Sequence, residues 1–289
     1  MPDRVLMGYD GSPAANAAID VGAHLFPHAH LWVAHLWTPP FASSSMRQRL
    51  WSGAGHFDDF VAALEREGER EADRIAATGV ILARAAGWDA EPLVARTDGG
   101  EGLRFTGLAD KVDADLVLVG SRGLGGAQAI LGSTSDLVVH YTPRPVLVVP
   151  HPLLIDEYAA LESGPVVVGF DGSAGARTAL ARAAELFPTR SLLLVTVDDG
   201  ETSDDAIIPS HPGHATVSRL HLPRGHGSAG RAVASVLTGF ARSHAAATVV
   251  VGSRGRSAVR EILLGSVAMA TLHHAYRPVV VIPGVVGDG

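Results

Sequence analysis

The sequence predicts an α/β protein made of two tandem, doubly wound parallel-sheet domains, and three observations carry that prediction. Runs such as "DLVLVG" and "TVVVG" are continuously apolar, as strands buried on both faces require. These runs alternate with helical stretches, which implies right-handed crossovers between parallel strands. The chain also repeats itself: "RVLMGYDGSPAANAAIDVGAHLFP" at 4–27 aligns without gaps to "PVVVGFDGSAGARTALARAAELFP" at 165–188, an offset of 161 residues. Further on, "ADLVLVGSRG" ending at Gly123 matches "ATVVVGSRG" ending at Gly255 at an offset of 132, and "PRPVLVVP" (143–150) matches "YRPVVVIP" (276–283) at 133. Two domains are expected, 1–150 and 160–289, with the boundary near "HPLLIDEYAALESG" at 151–164.

Taken in order, Val5–Gly8 reads as a short buried strand. It runs into Asp10-Gly-Ser-Pro, where Ser12 can cap a helix and Pro13 suits its first turn. A helix over 13–25 follows, then a strand at 31–37, a long charged helix near 57–86 and a strand at 89–96. A helix near 101–113, a strand at 115–119, a helix near 133–141 and a strand at 145–149 complete the first repeat. In the second repeat the candidate strands 192–197 and 216–222 are joined only by the polar "DDGETSDDAIIPSHPGHA". The drop in offset from 161 to 132 removes 29 residues between Pro188 and Ala247, the size of "FDDFVAALEREGEREADRIAATGVILARAA" in the first repeat. The second domain is therefore expected to lack its second helix. One sheet face would then need cover from the first domain, from its loop "TPPFASSSMRQRLWSGAG", or from another subunit.

Composition narrows the function classes. At 289 residues and 47% apolar content the chain can fill sizeable cores. A net charge of −7 without any basic block argues against nucleic acid and anionic membrane as partners. There is no cysteine, which removes disulfides, thiolate catalysis and Cys-ligated zinc, and fits a reducing compartment. "MPDRVLMGYDG" has no basic-then-apolar signal region and no apolar run is long enough to span a membrane, so a cytoplasmic protein is expected.

The glycines at the end of the fourth strand of each repeat point to chemistry. Gly252 and Gly255 stand where strand hands over to helix, and Gly265-Ser266 stands at the N-terminus of the next helix. In open α/β sheets this carboxyl edge is where ligands bind, and Gly-rich turns and helix N-termini offer free backbone N–H groups to an anion such as phosphate. Other nucleotide motifs are missing. The only lysine is Lys111, so no Walker A lysine follows a glycine loop; "GLGGAQ" fails the dinucleotide fingerprint; and there is no G-x-S-x-G elbow to expose Ser121 or Ser253. His211, His214, His221, His226 and the pair His273-His274 come with no H-E-x-x-H helix and no cysteine, which weighs against a zinc site, and a solvated loop is the simpler account of the first four.

The constellation resembles the universal stress protein family, whose ATP-binding members carry G-x2-G-x9-G-(S/T). Gly252, Gly255, Gly265 and Ser266 match that spacing, with Arg254 and Val267 beside them. "GYDGS", "GFDGS", "ADLVLVGSRG" and "RPVLVVP" extend the likeness over nearly the whole chain, as a tandem pair of the actinobacterial type. The resemblance implies a Rossmann-like, adenine nucleotide alpha hydrolase-like fold. It also implies ATP as ligand, with Mg2+ as a candidate companion. Asp171 or Asp10 would lie at the adenosine end, Val197 or Leu36 would line the adenine, and the glycine loop would wrap the phosphates. In the first repeat the loop Gly120-Ser-Arg-Gly123 is followed by eight residues, not nine, before Gly132-Ser133. The second repeat keeps the phosphate motif and is favoured for phosphate chemistry.

Three functions stay open on the sequence. They are a nucleotide-dependent regulator in stress or dormancy read by a protein partner, a slow ATPase or nucleotidyl-transfer enzyme, and an interaction module that binds no nucleotide. No general base stands at a defensible position, which weighs against the enzyme. The resemblance further implies that "VLVVP" and "VVVIP" pair across a two-fold, making an internal pseudo-dimer and allowing a whole-chain homodimer.

Overall fold

In a computed structural model the valine-rich runs assemble into one ten-stranded sheet. The structure describes residues 1–39, 57–121, 131–198, 217–223, 228–255 and 264–284. The first half contributes β1 (Arg4–Gly8), α1 (Pro13–Leu25), β2 (His30–Trp37), α2 (Phe57–Ala85), β3 (Asp89–Arg96), α3 (Glu101–Lys111), β4 (Leu116–Gly120), α4 (Ser133–Tyr141) and β5 (Val146–Val149). A connecting helix α5 (Ile155–Ser163) leads to β6 (Val166–Gly169), α6 (Ala174–Leu186), β7 (Leu192–Asp198), β8 (Val217–Pro223), α7 (Ala229–Ser243), β9 (Thr248–Gly252), α8 (Ser266–His274) and β10 (Val279–Ile282). Strand order is β3-β2-β1-β4-β5-β10-β9-β6-β7-β8, so each half has the same doubly wound order and the two meet head to head.

All neighbouring strands are parallel except at that seam. There β5 and β10 run antiparallel, with Val148 opposite Val279 and Val146 opposite Val281. Every residue of both strands is buried. A fully buried valine is worth about 1.5–3 kcal/mol relative to an exposed one. Apart, each strand would be a short apolar edge with unpaired backbone groups.

The helices form two layers. α1, α2, α5 and α6 share one core cluster, which includes Leu118, Leu147, Leu161, Val280 and Leu180. α3, α4, α7 and α8 share the other, around Phe105, Val138, Leu237, Phe240 and Leu272. Both clusters cross the seam. On the α1 side Phe26 and Phe187, equivalent positions in the repeat, meet with ring centroids 5.4 Å apart.

The boundary segment is more ordered than its sequence suggests. It forms α5, whose buried Glu157 accepts a hydrogen bond from the backbone N–H of Leu154. Arg277, 4% exposed, donates to the carbonyls of Asp156 and Glu157 at 3.1 and 3.3 Å. Arg190 donates to the carbonyls of Gly164 and Leu161 at 2.9 and 2.5 Å. Arg277 thus grips the first turn and Arg190 the last carbonyls of a short helix that could not stand alone in water.

Between β7 and β8 lie residues 199–216, outside the described set, as does nearly all of the loop expected to cover the neighbouring sheet face. The face of β7 is not bare: Leu192 and Leu194 are fully buried, in one cluster with Leu180 and Ala183 of α6. β8 adapts by alternation, packing Leu220 and Leu222 on the α7 side and leaving His221 exposed.

Two expectations follow. Gly164 ends α5 with an added Cβ pressed onto the backbone of Ala245, Ala160 and Ala247, whereas Gly107 and Gly239, inside α3 and α7, face open space. Gly164→Ala is expected to destabilise the protein by roughly 2–4 kcal/mol, because backbone on three sides has to move. Gly107→Ala and Gly239→Ala are each expected to stabilise it by about 0.5–1 kcal/mol, all read from urea unfolding midpoints. The second concerns His273 in the last turn of α8. Burial chiefly, and His274 next, lower its pKa below 6.5, while Asp136 on α4 across the seam pulls the other way. The unfolded chain thus takes up this proton more readily than the folded one, so stability falls as pH drops below about 6.5. His273→Gln is expected to flatten that part of a melting-temperature profile between pH 7.5 and 5.5.

Candidate functional site

In each half the first strand ends in an Asp-Gly-Ser turn built the same way. Asp171 Oδ1 accepts from the backbone N–H of Ser173 at 2.9 Å, Gly172 takes φ +76°, and Ser173 Oγ accepts from the N–H of Ala176 at 3.1 Å to cap α6. In the first half Asp10 Oδ1 accepts from Ser12 N–H at 2.9 Å, Gly11 takes φ +77°, and Ser12 Oγ caps α1 through Ala15 N–H at 3.2 Å. Positive φ explains glycine at both positions. One carboxylate oxygen of each aspartate serves the turn, as a capping reading requires.

The three glycines of the second half converge on this turn. A Cβ on Gly255 would lie 3.0 Å from Asp171 Oδ2, so the loop backbone runs directly over the carboxylate. A Cβ on Gly252 would lie 3.0 Å from the carbonyl oxygen of Gly175 in the first turn of α6, and one on Gly175 would press on the carbonyl oxygen of Arg254. Gly265 N–H donates to Ser253 O at 2.6 Å, and a Cβ there would lie 3.2 Å from that oxygen. Ser253, 6% exposed, also accepts from Gly284 N–H at 2.9 Å through its hydroxyl. Protein packing on protein thus already makes 252, 255 and 265 tight positions for any side chain.

Ser266 is the exposed first residue of α8, and Gly230 at the start of α7 is packed so closely that a Cβ would come within 2.6 Å of its hydroxyl. Val267 is half-buried in the cluster of α7 and α8. Arg254, between the loop glycines, is part-buried, and its Nε has no partner among the described residues. Val197 is half-buried on β7. Because Gly169 pairs with Val195, Val197 of β7 stands level with Asp171, which lies two residues past the carboxyl end of β6. The second half therefore gathers Asp171, Val197, Arg254, Gly255, Gly265 and Ser266 along one sheet edge.

The first half reproduces part of this. Gly8 pairs with Ala34, which sets Asp10 level with Leu36. Gly120 packs on the first turn of α1, where its Cβ would lie 2.8 Å from the carbonyl of Ala14. Gly132 N–H donates to Ser121 O at 2.8 Å, as Gly265 does to Ser253, and Ser133 opens α4. Gly123 and the eight-residue arch up to but not including its last residue, Leu131, lie outside the described residues, as do Arg256 and the nine-residue arch of the second half up to but not including its last residue, Leu264. Three contributors escaped the sequence reading. Gly175 and Gly230 were signalled only as small residues in a helix start. Glu101, whose carboxylate accepts from Thr134 Oγ1 at 2.8 Å, was signalled only as an acid in a first helical turn.

Among the described residues no group of three or more His, Asp or Glu is placed to hold a metal ion, and no helix is long and apolar enough to cross a membrane. His211, His214 and His226 lie outside the described residues.

A curated universal stress protein of Mycolicibacterium smegmatis is 31% identical over 188 residues, a match that takes in 58% of this chain and 62% of the relative's length. A universal stress protein of Thermus aquaticus is 32% identical over 155 residues, covering 50% of this chain and 96% of that protein. Among solved structures, a universal stress protein from Archaeoglobus fulgidus superposes over 99% of this chain and 97% of its own, with a TM-score of 0.65 at 18% identity, a likeness of fold. The family model described as "Universal stress protein family" matches residues 1–150 and 226–283, leaving the connecting helix and the front of the second half unmatched. With well over half of its length matched, the chain belongs to the universal stress protein family.

Proposed function

We propose that the chain binds an adenine nucleotide, ATP, along the sheet edge of its second half, and acts as a nucleotide-dependent regulator in a stress or dormancy response. The observation that carries this reading is the contact of Gly255 with the Asp171 carboxylate. It joins the residue expected at the adenosine end to the loop expected at the phosphates, two features far apart in sequence. Val197 stands level with Asp171 as an apolar wall for a base. At the other end Ser266 brings a hydroxyl to a helix N-terminus that has no side-chain cap, and Arg254 brings a cation with a donor to spare. Such a helix end carries a partial positive charge suited to phosphate. Mg2+, if it accompanies ATP, would be held chiefly by the phosphate oxygens, as that ion commonly is.

In this reading binding rather than turnover is the function. A nucleotide regulates only if it binds two states of the protein unequally. The seam is a natural place for the second state, since β9 of the site hydrogen-bonds directly to β10, and β10 to β5.

The reading is tested by denaturing the purified protein and identifying released nucleotide, then titrating the stripped protein with ATP. ATP or another adenine nucleotide is expected at about one per chain. Gly255→Ala is expected to weaken binding about tenfold or more, equivalent to about 1.4 kcal/mol, with a smaller effect on the melting temperature. Its methyl group would displace the Asp171 carboxylate rather than core backbone. No adenine nucleotide in the extract and no ATP binding by the stripped chain would overturn the proposal.

A further inference from the structure

The two halves differ most in charge at the place where a phosphate would sit. In the first half α3 and α4 begin side by side, and both carry an acid in their first turns, Glu101 and Asp136. Glu101 is the first residue of α3, and its carboxylate accepts from the hydroxyl of Thr134, second residue of α4, at 2.8 Å. Both groups are half-buried. One carboxylate therefore sits at the positive ends of two helices at once, the position that favours an anion. In the second half neither α7 nor α8 has an acid in its first turn. By the repeat offsets Glu101 corresponds to Val233 and Thr134 to Val267, and both valines are half-buried in the same apolar cluster. α7 instead carries Arg231 in its first turn, exposed.

We infer that Glu101 is the residue that makes the two halves unequal: it acts as a built-in anion that closes the first half to polyphosphates, so that the chain takes one nucleotide triphosphate and not two. This rests on the nucleotide reading of the second half. The physical cause is like-charge repulsion at close range in a partly dry site, where water screens little. The internal carboxylate needs no ordering entropy from a ligand, so an external phosphate has both a charge to overcome and a position already filled. The Val233–Val267 pair leaves the corresponding position in the second half uncharged.

The test is binding stoichiometry on the full chain, by equilibrium dialysis with ATP and separately with inorganic tripolyphosphate. Glu101→Gln keeps an acceptor for the Thr134 hydroxyl and removes only the charge; Thr134→Val removes the hydrogen bond and keeps the charge. The unaltered protein and Thr134→Val are expected to bind one equivalent of either probe. Glu101→Gln is expected to bind two, the second at least tenfold tighter than any residual second binding in the unaltered chain. Melting curves check that each variant is folded. Two equivalents in the unaltered protein, or one in a folded Glu101→Gln, would overturn the inference while leaving the nucleotide reading intact. If ATP fails throughout but tripolyphosphate still binds once and then twice, the nucleotide reading fails and the role of Glu101 stands. If neither probe binds any form, both fail.

Discussion

The architecture of the site depends on one constraint, the approach of backbone to backbone at the carboxyl edge of the sheet. The exit of β9 lies against the first turn of α6 so closely that Gly175 has no room for a methyl group and Gly252 almost none, and Gly255 lies against the carboxylate of Asp171. Hydrogen bonds then fix the rest. Ser253 N–H donates to Ile282 O at 2.7 Å and Gly265 N–H to Ser253 O at 2.6 Å, which ties the ends of β9 and β10 to the start of α8. The site is thus a by-product of helix-on-strand packing that glycine alone permits. The described part of this edge is held by the protein's own contacts, and a pre-formed surface lowers the entropy cost of binding any ligand.

Much of the fold was legible because its signals are local. Buried parallel strands show as unbroken valine and leucine runs, and β4 and β5 fall within a residue or so of their expected places. α1 spans Pro13–Leu25 as expected, since Ser12 and Pro13 mark its start chemically. The repeat made the order of strands in one half transferable to the other. α5 was not legible: it has nine residues, and what holds it, Arg277 and Arg190, arrives from distant turns. No local pattern announces a helix stabilised by carbonyl contacts from an arginine more than a hundred residues away and another in the next helix–strand turn.

At the site the spacing of Gly252, Gly255, Gly265 and Ser266 was legible, but the reason for the glycines was not. From sequence they suggested room for a ligand. In the structure Gly252 faces Gly175, Gly255 faces Asp171 and Gly265 faces Ser253, so each is explained first by the protein's own backbone or carboxylate. This changes what a glycine motif means. It identifies a loop that must fold tightly onto its neighbours, and the phosphate-binding capacity of such a loop comes from where its N–H groups then point. The same packing appears at Gly120 in the half whose arch is one residue short. Glycine spacing therefore reports the scaffold, and the charged and apolar residues around it report the ligand.

That distinction explains how a repeat can keep its fold and divide its chemistry. Positions that carry packing are paired across the halves: Gly120 with Gly252, Phe26 with Phe187, Ser12 with Ser173. Where packing does change it changes in compensation, as when Gly102 makes room for Leu137 while the equivalent second-half positions are Ala234 and Ala270. Charge is free of that restraint at a surface cleft, because replacing a valine pair by a hydrogen-bonded Glu–Thr pair fills similar volume and leaves no buried polar group unpaired. A duplicated domain can therefore alter the sign of its anion site without disturbing the shared sheet. The seam meanwhile joins β10 to β5 whatever the charge at either helix start, with Glu101 accepting from Thr134 in one half and Val233 and Val267 at the equivalent positions in the other.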